Sequence, residues 1–282
     1  MYDVWMLSNS TKVWIFILLS SLGLLMLGYN LGERLGLFVG FLLAIALNFF
    51  VFFYGESQIL VSLRAKELKG QDPWNLQPAI QKFADAVGIP YPSVYLIPTK
   101  LETAFCVGHS WRKGTMAISM GLLEKFNPED IEAVVAYQIC QLKKMDSFRY
   151  GVANTIANAL VGLGRLLDLV WPPNYFLLTN HRQRPFLRIL SPLAWTLIKL
   201  GSSRKVYFQN DLHAAELLHD RFRLAEVLWK LEGLAQTQPM KAPPCSSHLF
   251  IVNPEGYNQR LFLKSHPSIQ VRLQKLMGYY PI

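Results

Sequence analysis

The chain has 282 residues, 51% of them hydrophobic, with a mean hydropathy of +0.21 and a formal charge of +9. Charged residues make up 17%, against about 25% in a typical soluble domain, which excludes an ordinary water-soluble globule and points to a membrane. The positive charge comes with no nucleic-acid motif and no tight basic run, so anionic lipid headgroups, not nucleic acid, are the expected partner.

The membrane signal starts at once. Residues 13–29, VWIFILLSSLGLLMLGY, carry no charge in 17 positions, and residues 35–54, LGLFVGFLLAIALNFFVFFY, none in 20. A spanning helix needs roughly 17 to 25 apolar residues. Only NLGER separates the two, so residues 1–55 read as a tight transmembrane hairpin. A cleaved signal peptide is the alternative, but Asp3 precedes the run and no small-residue cleavage site follows.

Residues 56–282 then form the main polar domain. Residues 56–72 read as an amphipathic helix leaving the second span, and NLQPAIQKFADAVGI as another, with Ile80, Phe83, Ala84 and Val87 at helical spacing. PSVYLIPT and TMAISMGLL look like strands, with ETAFCVGHSWRKG between them as a strand and loop. The expected class is α+β: mainly helical, with a small antiparallel sheet.

Next comes AVVAYQICQLKKMD, residues 133–146. Asn127 is a good N-cap, Pro128 suits the first helical position, and Glu129 and Asp130 favour the positive helix end. A helix is expected from Pro128 to about Asp146. At about 100° per residue, Gln138 falls amid Ile131, Val134, Val135 and Leu142, with Tyr137 and Gln141 along the edge of that face. An unpaired buried amide costs about 1–3 kcal/mol, so two amides here imply partners or an inherited site.

A second hydrophobic hairpin is inserted at about 151–200. Its first part, 151–171, holds Asn154, Asn158, Arg165 and Asp168, the last two spaced to pair. Its second, 186–200, is interrupted by Arg188, Pro192 and Lys199. This hairpin spans, dips in, lies at the interface, or packs as a buried hairpin. Residues 211–236 read as one helix, and the tail ends in a short helix after His266-Pro267. Of 28 Lys and Arg, 11 lie in 55–150 and 10 in 201–282, while the first connecting loop holds only Arg34. The positive-inside rule then places the polar domain on the cytoplasmic side, or the stromal side of an organelle. Cys106, Cys140 and Cys245 show neither a disulfide framework nor CxxC spacing.

The run TAFCVGHSWRKGTMAISMGLLEKFNPEDIEAVVAYQICQLKKMD resembles the HtpX-type membrane zinc metallopeptidases, kin of the CAAX prenyl proteases. In that family a helix reads A-H-E-x-x-H-x-x-x-x-D; its two His bind zinc and its Glu activates water. The matching helix here reads Ala136-Tyr137-Gln138-Ile139-Cys140-Gln141, with Asp146 in register. The family's third ligand, a Glu in S-R-x-x-E-x-x-x-D, falls on Tyr207 of SSRKVYFQNDLHAA, where Ser203, Arg204 and Asp211 match. LFIVNP and SHPSIQVRLQKL resemble the family's closing LF…HP…R.

The resemblance implies an HtpX-like, gluzincin-type fold whose catalytic residues are gone: Tyr137 and Gln141 stand for the histidines, Gln138 for the base, Tyr207 for the Glu. Catalytic zinc needs three protein ligands and an open position. Neutral amides and phenols protonated at pH 7 make poor ligands, and Gln138 cannot take a proton from water. No zinc and no other cofactor is expected.

What remains is a pseudo-protease that binds, holds or helps assemble membrane-protein clients. By the resemblance, Glu102, Thr103, Ala104, Phe105, Cys106 and His109 would form an edge strand for an extended segment, although the family's Asn before AF is Thr103 here. Asp146, Arg204, Asp211 and His266 support structure. Two other readings stay open: an active enzyme with a rebuilt site, using Cys140 or Cys106 with His109, or His213, Glu216 and His219; and a structural subunit of a membrane complex whose old groove is filled.

Overall fold

A computed structural model describes residues 9–70, 72–110, 113–144, 157, 160–162, 164–165, 168, 185–201, 204–240, 246–256 and 266–278. The N-terminal apolar runs form one long helical element, α1 (Asn9–Ser62), interrupted at Gly32 and Glu33. Glu33 has φ 48°, and its two legs fold back on each other. The Asn48 Nδ2 donates to Ser21 Oγ at 3.1 Å across the pair. A Cβ on Gly28 or Gly36 would run into the other's carbonyl oxygen, and one on Gly40 into that of Leu24. The glycines thus permit the close crossing seen where small residues line a membrane helix pair. The stretch 17–46 is long and apolar enough to cross a membrane.

Helix α1 ends earlier than expected for a 56–72 helix. After Ser62 the chain turns, with Arg64 in the left-handed region, into strand β1 (Lys66–Glu67). Helix α2 (Leu76–Val87) follows, with its Leu76, Ile80, Phe83 and Ala84 face buried. Strands β2 (Ser93–Ile97), β3 (Ala104–Ser110) and β4 (Lys113–Ser119) complete a sheet in the order β1-β2-β4-β3.

The sheet is mixed, not antiparallel as expected: β2 and β4 run parallel, the other pairs antiparallel. The β3–β4 hairpin causes this. Strand β3 takes the outer edge and β4 returns between it and β2, which fixes β4 parallel to β2. The run TMAISMGLL is likewise only half strand. The Ser119 Oγ accepts from the Leu122 N–H and starts helix α3 (Met120–Lys125).

Helix α4 (Pro128–Lys143) follows the expected pattern, with Pro128 in its first turn and Asn127 Oδ1 accepting from the Asp130 N–H at 2.9 Å. Helix α5 (Pro185–Gly201) runs unbroken through Pro192. Asp168 does not pair with the exposed Arg165; its carboxylate accepts from the N–H groups of Phe186 and Leu187, capping α5. The expected 211–236 helix is two helices, α6 (Arg204–Leu218) and α7 (Arg221–Thr237). The break is local chemistry: His219 is left-handed (φ 57°), and Asp220 caps the Arg223 N–H. The tail closes with α8 (Ile269–Met277).

The sheet divides two apolar clusters. Val94, Ala104, Cys106, Met116 and Ile118 face α2, α4, α6, α7 and α8. Ile97, Phe105, Val107 and Ala117 face the other way, onto Ile59 and Leu60 of α1 and onto Leu249 and Phe250. The end of the apolar hairpin is therefore bolted to the sheet that carries the site.

Candidate functional site

The site lies where α4, α6 and α8 meet the inner face of β3. Helix α4 brings Tyr137, Gln138 and Gln141, which are 2%, 0% and 2% exposed. Helix α6 brings Tyr207 and Asp211, both 1% exposed. Tyr137, Tyr207 and Asp211 are distant in sequence, and the fold brings all three against one side chain.

Between them lies Arg272 of α8, which the sequence offered only as the closing Arg of the HP…R pattern and gave no role, buried to 1% exposure. Its Nε and Nη2 donate to the two Asp211 oxygens at 3.0 and 2.6 Å, and its Nη1 donates to the Ile251 carbonyl at 2.7 Å. The guanidinium carbon sits 5.6 Å from the Tyr137 ring centroid and 5.7 Å from that of Tyr207. Such distances allow cation–π attraction to both phenols. Burial pulls the arginine's pKa down, but the bidentate Asp211 carboxylate outweighs it and holds the value above the ordinary guanidinium range. His266 completes the wall. Its ring lies 4.9 Å from that of Tyr207, and its Nε2 pairs with the Phe250 carbonyl at 2.9 Å. The only sequence signal for Arg272 was its place in HPSIQVR, 61 residues from its carboxylate partner.

This donor set does not fit zinc. It consists of two phenols and two neutral amides, and a fixed guanidinium lies against both phenols. Among the described residues, no three of His, Cys, Asp or Glu come together to hold a metal ion. His213 is exposed, contacting Lys144 Nζ at 3.1 Å and the Gln209 carbonyl at 2.6 Å, while His219 forms the α6–α7 turn.

The two described thiols are buried. Burial pushes Cys140 up to about 11. Cys106 is 0% exposed, its Sγ 3.6 Å from the Gln138 carbonyl oxygen. Cys245 and Asp146 fall outside the described residues, as do the side chains of His109 and Arg204.

The expected edge strand has two unlike halves. Glu102 is held by Lys125, and the Thr103 main chain is used in both directions by Ser119. Phe105 forms an antiparallel bridge with Phe250, their rings edge-on at 5.2 Å. From Val107 to Ser110, β3 pairs only with β4 among the described residues. Beneath that freer half lies the stretch of α4 carrying Gln138 and Gln141. Cys106 touches the Gln138 carbonyl, and Leu142 packs where Gly114, the partner of Gly108, leaves room. Both side-chain polar atoms of Gln138, and Oε1 of Gln141, are buried without a hydrogen-bond partner among the described residues.

Comparison with known proteins gives the family. The model of peptidase family M48 matches residues 71–279. A protease HtpX homolog of Desulfatibacillum aliphaticivorans is 29% identical over 267 residues, covering 92% of this chain and 86% of its own length. One of Thermococcus sibiricus is 28% identical, covering 90% of each. The solved Ste24p of S. mikatae, 18% identical, superposes with a TM-score of 0.48 over 94% of this chain and 66% of that one. The chain belongs to peptidase family M48, as an HtpX-type member.

Proposed function

We propose that this HtpX-type chain is a membrane-embedded pseudo-protease that holds extended segments of membrane-protein clients without cleaving them, as a binding, assembly or scaffolding factor. One observation supports the reading: Tyr137 and Tyr207 flank the buried Arg272–Asp211 pair, and by the resemblance these two, with Gln138 and Gln141, fall at the family's ligand and base positions. None of the four can act as a carboxylate base, and the guanidinium supplies the local positive charge by itself. The α1 hairpin anchors the chain in the bilayer, and the basic residues of 55–150 and 201–282 put the polar domain on the cytoplasmic or stromal side. The half-free edge of β3 is the seat for the client.

A rebuilt thiol enzyme is disfavoured by the raised Cys140 pKa and the full burial of Cys106. A purely structural subunit would fill the old groove with satisfied groups, whereas Gln138 is left unsatisfied among the described residues. The test is incubation of the detergent-purified full chain with unfolded casein and zinc. Retention of casein on the protein without new fragments supports the proposal. Chelator-sensitive or thiol-blocker-sensitive cleavage overturns it.

A further inference from the structure

A cleft of about 510 Å³ opens between α7 and the α3–α4 turn, and it is lined by none of the residues around the Arg272–Asp211 pair. Phe126, Trp229 and Leu234 give it apolar walls. Cavities of about 300–1,000 Å³ with mostly apolar walls and a few polar groups are the usual form of a small-molecule site. Two features of α7 hold the cleft open. Trp229 is 59% exposed, whereas tryptophan is highly buried on average. Gly233 stands inside the helix, where glycine is destabilising relative to alanine. A Cβ there would meet nothing within 4 Å among the described residues, so packing does not require the glycine. It bares helix backbone one turn from the Trp229 ring.

The charged groups at the cleft are unevenly spent. Asp130 is 2% exposed, and both its oxygens accept: one from Arg223 Nη1 at 3.2 Å, the other from Lys230 Nζ at 3.0 Å. Lys230 also reaches Glu226 at 2.7 Å. Lys125 is held by Glu102, a buried carboxylate two residues before β3 begins. An ammonium carries three N–H groups. Among the described residues, Lys125 therefore keeps two to offer and Lys230 keeps one, and both side chains are partly exposed. The charged hydrogen-bonding capacity left at the cleft is all donor, and it lies beside aromatic walls.

We propose that this cleft is a binding site for a small aromatic carboxylic acid, its ring laid against Trp229 and Phe126 over the Gly233 backbone and its carboxylate held by Lys125 and Lys230. Charge-assisted bonds from ammonium groups select the carboxylate, and the two rings select a flat apolar body. The site is separate from the client seat and does not depend on it.

The experiment uses the detergent-purified full chain and the photoreactive acid 4-benzoylbenzoate, with the labelled residues located by peptide mass spectrometry. Labelling is expected at Lys125–Phe126 and within residues 229–237. Excess 2-naphthylacetate should suppress it. Neutral 2-naphthylacetamide should compete at least about tenfold less well, the factor for losing a charge-assisted hydrogen bond. Gly233→Leu fills the cleft and should abolish labelling, with a thermal midpoint unchanged or raised because leucine is the better helix former. Glu102→Gln combined with Lys125→Met removes the buried pair together, without stranding either charge, and should cut labelling at least about tenfold.

Labelling spread along the chain, or undiminished in Gly233→Leu, would mean that the acid only partitions into the detergent around the protein, and it overturns the inference. Equal competition by acid and amide overturns it too, because the lysines would then select nothing. So does an absence of labelling in wild type. Each of these results leaves the client-holding reading standing, since casein retention is read without this cleft.

Discussion

Arg272→Met is the perturbation that bears most directly on how this site is held. The arginine gives two hydrogen bonds to Asp211 and one to the Ile251 carbonyl, all at or below 3.0 Å, with both charged side chains 2% exposed. Removing one member of such a pair leaves a buried charge without compensation and costs about 3–5 kcal/mol. Weakened contact with the two phenols adds to that loss. For a domain of this size each kcal/mol lowers the thermal midpoint by about 2–4 °C, so a fall of roughly 6–20 °C is expected. Asp211→Leu alone should fall by a similar amount, because it strands the guanidinium. The double variant Asp211→Leu with Arg272→Met removes both charges together and should recover most of the loss. Circular dichroism melts of the detergent-solubilised chain read all three. A fall under about 1 kcal/mol in Arg272→Met, or losses in the double variant that simply add, would refute the claim that this pair is desolvated and mutually dependent.

Two further outcomes follow from the same physics. Burial raises the Cys140 thiol from 9.0 to about 11 in the folded chain. Its contribution to stability is therefore complete below about pH 9 and is lost as pH rises from there to about 11, because the unfolded thiol ionises first. The melting midpoint of wild type should drop faster across that window than that of Cys140→Ala, and the folded thiol should resist iodoacetamide at pH 8. Equal slopes, or rapid alkylation, would contradict the burial. Gly36→Leu should push the two legs of α1 apart, since a side chain there meets the Gly28 carbonyl. Its midpoint should fall by an amount matching about 1–3 kcal/mol of overpacking, whereas Gly23→Leu, which has open space around it, should change little.

Much of this architecture was legible in the residues, and the parts that were not have physical reasons. The hairpin in α1 was visible because a water-soluble fold rarely carries two charge-free apolar runs of that length side by side. Helix α4 was visible because its cap, proline and acidic first turn all agree. The α6–α7 break was hidden: residues 211–236 keep a helical pattern through the turn, and one capping carboxylate, Asp220, decides the matter. The parallel pairing of β2 with β4 depends on which edge a hairpin occupies, which no local propensity encodes. At the site, the polar residues Tyr137, Gln138, Gln141 and Tyr207 stood out in the sequence, and the structure buries all four. The guanidinium between the phenols did not, because its partnership with Asp211 spans 61 residues and exists only after α6 and α8 pack. The capped half of β3 was equally out of reach, since it depends on Phe250 arriving from far along the chain.

The measurement that tests the central claim most directly is the metal content of the purified full chain after loading with zinc and exhaustive dialysis. The account predicts that no stoichiometric zinc is retained, and that Tyr137→Phe and Tyr207→Phe change nothing in that result. Retention of about one zinc per chain, the occupancy of a functional catalytic site, lost on substituting Tyr137 or Gln141, would contradict it.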